Sequence, residues 1–266
     1  MRNALPAGAP RGSRFSARLA GSSGRGLLID GGWRPVIALA EGQVRGSVVH
    51  LDVREEMGVG SSRPCDLAVL NTIDRERLDL AALEHALAAH ESAESAGHPP
   101  VLFLPVSWST VRSPRARRQL LHMVGHAQAR LKVIPVAELM AIDGGTPPAV
   151  LRPIFRAVIA RLTPKRATLA QLTGCDLSGA SVEAGDLGET GEPGAMKRAV
   201  TALQAIGGRV MLHSLRSVAA ILAARDAGAA WASLDVVRSG WHLAHAVQDA
   251  LAQTPKAKGA AVTAAP

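Results

Sequence analysis

The chain has 266 residues, enough for one large domain, and 47% of them are hydrophobic, enough to fill a core. Aromatic residues make up only 3% and tyrosine is absent, which leaves few platforms for stacking bases, so nucleic acid is not an expected partner despite a net charge of +8. Two cysteines far apart, Cys65 and Cys175, argue against a disulfide framework or a zinc knuckle. No run approaches the ~18 apolar residues of a membrane span, and the N-terminal stretch lacks a leader's apolar centre, so a cytoplasmic protein is expected.

Residues 1–27 are rich in Arg, Gly, Ser, Ala and Pro without an acidic residue, which reads as a disordered basic tail. Residues 33–39 and 44–52 then read as an antiparallel strand pair around Glu41-Gly42. Leu78 to Glu94 reads as a helix with Leu80, Leu83 and Leu87 on one face, and Val101 to Val106 as a buried strand. Pro114 stands where a helix begins, running through Leu120, Leu121, Val124 and Ala127. Lys132 to Val136 reads as a strand, Pro147 and Pro148 as the start of a helix reaching Arg156, and Ala157 to Leu162 and Gly179 to Glu183 as strands. Pro193 opens a helix with Met196, Val200 and Leu203 at helical spacing. Gly207 and Gly208 end it, and a strand follows at Arg209 to His213. The next helix carries Val218, Ile221 and Leu222, with Gly228 closing it. Ala230 to Val237 is a strand and Gly240 to Ala252 a last helix. Residues 28–252 thus form the folded domain, and residues 253–266 read as a flexible C-terminal tail. Alternating strands and helices, with about eight strands, predict an α/β fold of the (β/α)8 barrel type.

The stretch from Trp33 to Asp52 resembles the opening hairpin of the EAL domain, the barrel that hydrolyses cyclic di-GMP. Trp33-Arg34-Pro35-Val36-Ile37 matches the family's aromatic-Gln-Pro-Ile strand. The second strand reads Val48-Val49-His50 where Glu-Ala-Leu should stand. The resemblance spans roughly residues 28 to 245. It implies a TIM-type barrel of the EAL kind with an antiparallel first strand. It also implies that the family's metal ligands are gone. Ser107 stands in place of an asparagine and Thr163-Pro164-Lys165 in place of paired aspartates. The place of the family's lysine falls near Ser181 and that of its nearby aspartate near Glu183, and His213 and Arg216 stand in place of two glutamates. Near the remaining ligand strand, Glu138 is the nearest carboxylate, and in the simplest register an apolar residue occupies the ligand place.

Two divalent cations each need several carboxylate or amide oxygens, so the resemblance implies a catalytically inactive domain with no cofactor. The expected role is a signalling or regulatory module that works through a protein partner the sequence does not identify. The alternative is a receptor that binds cyclic di-GMP or a related anionic nucleotide without cleaving it. Candidate ligand-binding residues are Arg34, Ser107, Glu183 and His213, with His50 beside them, and the basic cluster Arg115, Arg117 and Arg118. Asp52, near where the family has arginine, counts against a phosphate ligand. A homodimer is left open.

Overall fold

The computed structural model describes residues 14–22, 24, 26–58, 60–92, 100–142, 148–162, 172, 175–187, 194–234 and 249–250. The strands are β1 (Arg14–Ala20), β2 (Gly26–Ala38), β3 (Gln43–Gly58), β4 (Ser61–Pro64), β5 (Val101–Ser107), β6 (Ile134–Met140), β7 (Ala157–Leu162), β8 (Gly179–Glu183), β9 (Val210–Leu215) and β10 (Trp231–Leu234). The helices are α1 (Thr72–Ser92), α2 (Trp108–Arg112), α3 (Pro114–Leu131), α4 (Ala195–Gly207) and α5 (Val218–Asp226).

One sheet holds all ten strands, and the pairing of β2 with β3 closes eight of them into a barrel. Strands β3 and β5 to β10 run parallel around it, while β2 is antiparallel to both its neighbours, β3 and β10. The expected (β/α)8 barrel with an antiparallel first strand is the observed fold. Strands β1 and β4 lie outside the ring. They flank a long β2–β3 hairpin that extends past the barrel and pairs from Leu27↔Glu55 to Ala38↔Gln43.

Three expectations need correction. The tail assigned to residues 1–27 contains a strand, because Phe15, Ala17 and Leu19 alternate with Arg14, Ser16 and Arg18, a two-residue period. Phe15 is buried and stacks with His85 of α1 at 6.4 Å, which anchors the strand. The helix expected from Pro147 and Pro148 to Arg156 is a single 3-10 turn, Pro148–Leu151; Pro153 cannot continue a helix. Pro147 itself lies outside the described residues. Strand β6 runs from Ile134 to Met140, later than the expected Lys132 to Val136. Helix α3 continues to Leu131 and Lys132 ends it in the left-handed conformation, φ 53°. The expected helix 240–252 falls almost wholly outside the described residues, as does the tail 253–266.

Two layers of side chains position the site. Val36, Val48, Phe103, Val136, Ile159 and Met211 point inward and form the apolar floor of the barrel. Trp231 meets Phe103 edge to face at 5.8 Å. The alternate residues point outward and pack under the helices, among them Leu102, Leu104, Ala137, Leu139, Val158, Ala160, Leu212 and Ala232.

Helix α4 returns to β8 through a contact that only glycine permits. A Cβ on Gly207 would stand 2.4 Å from the Gly179 amide nitrogen and 2.6 Å from the Leu177 carbonyl oxygen. Gly207→Ala should therefore destabilise the protein by about 1–3 kcal/mol in urea unfolding, the overpacking cost. Helix propensity alone predicts a gain of about 1 kcal/mol. A stabilised variant would show that the backbone yields there.

Candidate functional site

Side chains alternate along a strand, so the residue two places past each floor residue also points inward, one layer closer to the carboxyl ends of the parallel strands. On β6 the step from Val136 leads to Glu138, on β7 from Ile159 to Arg161, on β9 from Met211 to His213, and on β10 from Trp231 to Ser233. On antiparallel β2 the step runs backwards, from Val36 to Arg34. The upper layer of the barrel is therefore polar while its floor is apolar.

These residues form one connected network. His213 Nε2 donates to Glu138 Oε1 at 2.5 Å. The Ser181 hydroxyl donates to the same oxygen at 2.5 Å. On the far side of the imidazole, Nδ1 lies 3.1 Å from Ser233 Oγ. Nε2–H must face the carboxylate, so the ring spans Glu138 and Ser233 with one nitrogen on each. Arg161 Nη1 lies 3.8 Å from Glu138 Oε2, and Arg161 Nη2 donates to Glu183 Oε1. Arg34 Nη1 donates to Ser214 Oγ at 3.0 Å, which places it beside His213.

Burial separates the two halves of the network. Glu138, Ser181 and Ser233 are fully buried and His213 nearly so, while Arg161 and Glu183 remain about one third exposed at the mouth. Burial raises the Glu138 carboxyl. The charges of His213 and Arg161, and then hydrogen bonds from His213 and Ser181, outweigh it and hold the group down at about 2. Glu138 Oε2 is buried with no hydrogen-bond partner among the described residues, so its compensation comes from the Arg161 charge. A folded-state value below the ordinary 4.5 gives stability that is complete above that pH and lost as pH falls from 4.5 towards 2. The expected loss is about 3 kcal/mol, read from urea midpoints across that interval. Glu138→Gln should flatten that dependence.

Ser233, His213 and Glu138 follow the order of a hydrolase triad, but the hydroxyl is wholly enclosed, and a substrate has no route to it.

A second buried cluster stands beside the first. Asp79 on α1 accepts from the Ser107 amide at 2.7 Å, the Ser107 hydroxyl at 3.1 Å and the Thr110 hydroxyl at 2.6 Å. Arg75 lies 3.5 Å from the same carboxylate and donates to Ser107 Oγ. Burial pushes the Asp79 carboxyl up, against the pull of Arg75 and of these hydrogen bonds. The cluster ties α1 to the end of β5 and the start of α2.

The seven candidate residues separate accordingly. Glu183 and His213 join the mouth network through Arg161 and Glu138, and Arg34 reaches its edge through Ser214. Ser107 is held by Asp79 and Arg75. Arg115 and Arg118 are exposed on α3, and Arg117 folds back to donate to the Val111 carbonyl at 2.9 Å. His50 is exposed on β3 opposite Gly32. Thr163, Pro164 and Lys165 lie outside the described residues. Sequence analysis gives Glu138 only as the nearest carboxylate and does not single out Arg161, although the alternation Ala157, Ile159, Arg161 within an apolar strand marks a charge pointing inward.

A closed eight-stranded barrel with its first strand reversed and a polar upper layer is a specific architecture. The fold is the EAL-domain fold. The structure of the EAL domain of Mycobacterium smegmatis DcpA matches with a TM-score of 0.56 at 18% identity, over 86% of this chain and 100% of that one. Klebsiella pneumoniae BlrP1, in a calcium/cy-diGMP complex, matches with a TM-score of 0.56 at 14% identity, over 76% of this chain and 53% of that one. The EAL enzyme Bd1971, in its cGMP-bound form, gives a TM-score of 0.53 at 11% identity, over 77% of this chain and 61% of that one. This chain thus spans about three fifths of the length of Bd1971. No protein-family model matches the sequence, and no curated protein is similar to it.

Whether the mouth of this EAL-type barrel suits a divalent cation follows from its donors. Among the described residues Glu138 and Glu183 are the carboxylates there, and Arg161 lies against both. His213 occupies the remaining face of Glu138. A divalent cation would have to displace a guanidinium and find further oxygens. Among the described residues, no three His, Cys, Asp or Glu side chains are grouped to hold one. The described residues of the mouth do not by themselves fit a divalent cation.

Proposed function

We propose that this barrel is a catalytically inactive signalling or regulatory module that acts through contacts with a protein partner. The observation that carries this reading is the neutralisation of Glu138. Its charge is matched inside the chain by His213 and Arg161, two groups that hold the mouth closed to cations. Hydrolysis of a phosphodiester needs a nucleophilic water and a stabiliser for developing charge. Among the described residues the upper layer supplies neither in an accessible position. The domain then serves as a scaffold whose outer surface does the recognition. No helix among the described residues is long and apolar enough to cross a membrane.

A second reading, a receptor for cyclic di-GMP that does not cleave it, draws on Arg34 and Arg161 in the mouth and on the cyclic di-GMP found in the BlrP1 complex. One experiment separates the two. The protein is titrated calorimetrically with cyclic di-GMP, with and without magnesium, and the nucleotide is then checked for cleavage. Neither heat nor cleavage is expected of an interaction module. Heat without cleavage supports the receptor, and cleavage overturns both.

A further inference from the structure

Strand β1 ends the sheet. One of its edges pairs with β2 from Arg14↔Gly32 to Ala20↔Gly26. Among the described residues no strand pairs with the other edge. Among the described residues seven residues of strand edge are therefore without a partner strand, against four on β4 at the opposite end. An edge of that length is a template for another strand, and soluble proteins cover or blunt such edges.

The side chains of β1 select what fits. Phe15, Ala17 and Leu19 face α1, while Arg14, Ser16 and Arg18 face the other way. Suppose β1 pairs antiparallel with β1 of a second copy about a two-fold axis at Ala17. Phe15 then stands opposite Leu19, Ser16 opposite Arg18, and Arg14 opposite Ala20. The apolar pair lies on the α1 side, and no arginine faces an arginine. An axis at Ser16 would set Arg14 against Arg18. An axis at Arg18 would set that arginine against itself. Both put like charges directly across the strands. A slip of one residue would put Phe15 opposite Arg18 and reverse the faces. Of the two-fold registers that pair at least five residues of β1, one survives, and it pairs the whole strand.

We infer that β1 is a homodimer interface, with two copies joined edge to edge about Ala17 into one continuous sheet. Opposed residues in an antiparallel pair have Cα atoms about 4.5–5.5 Å apart, within disulfide reach. The test uses the full chain with Cys65→Ser and Cys175→Ser, to which Ala17→Cys or Arg14→Cys is added. Mild oxidation should convert the Ala17→Cys protein largely to covalent dimer. The Arg14→Cys protein should stay uncrosslinked, because its two thiols would lie about 20 Å apart at ~3.4 Å per residue. In sedimentation velocity the unaltered chain should be dimeric. Ser16→Arg, on the exposed face, brings arginine opposite Arg18 twice and should raise the dimer dissociation constant at least about tenfold. Circular dichroism checks that this variant remains folded. A monomeric unaltered chain overturns the inference. So does a dimer that crosslinks as readily at position 14 as at 17, or one that Ser16→Arg leaves unchanged.

Discussion

Replacing Glu138 with alanine should lower the unfolding free energy by about 3–5 kcal/mol, as measured by urea denaturation at neutral pH. The variant removes the shared acceptor of His213 and Ser181 and the buried counter-charge of Arg161. Among the described residues His213 then keeps Ser233 and Arg161 keeps Glu183. The contrast with the surface sets the scale. Arg45 and Glu41 also form an ion pair, at 2.7 Å, but both are about half exposed, and such pairs contribute about 0–1 kcal/mol. Replacing both Glu138 and His213 with leucine should recover much of the loss, because the cost lies in stranding one partner rather than in lacking the pair. A Glu138→Ala cost below about 1 kcal/mol would mean that water or a side-chain shift compensates the site, and that the network does not close the mouth.

Asp79→Ala should cost a similar amount, about 3–5 kcal/mol, for a different reason. Asp79 is the acceptor for one buried backbone amide and two buried hydroxyls, and Arg75 is its ion-pair partner. Alanine strands all of them at the junction of α1, β5 and α2. Asp79→Asn keeps an acceptor oxygen for part of the set, so its cost should be smaller. Equal losses for the two substitutions would show that the charge, rather than the hydrogen-bond geometry, holds α1 against β5. Neither substitution should confer cyclic di-GMP hydrolysis.

Much of the barrel is legible from residue order. Val101 to Val106, Ala157 to Leu162 and Gly179 to Glu183 read as strands because buried parallel strands are short apolar runs. Pro114 and Gly207 mark helix ends through backbone constraints that need no partner. Strand β1 escaped that reading because its composition resembles a solvated tail. Its alternation has meaning only when β2 and α1 stand beside it. The site divides in the same way. Arg34, Glu183 and His213 stood out by their positions relative to the EAL motif. Glu138 did not, because whether it points inward depends on where α3 stops and β6 starts, at Lys132. Ser107 was selected by motif position, yet Asp79, on a helix distant in sequence, holds both its amide and its hydroxyl.

The sequence by itself determined the alternation of elements and the reversed first strand. Local propensity, period and turn chemistry act over a few residues and need nothing else. Only the tertiary structure decided which charges meet. The Glu138–His213 contact joins strands 75 residues apart, and Arg34 reaches Ser214 across 180 residues. The closure of the barrel brings these groups within bonding distance, and burial there makes their pairing obligatory.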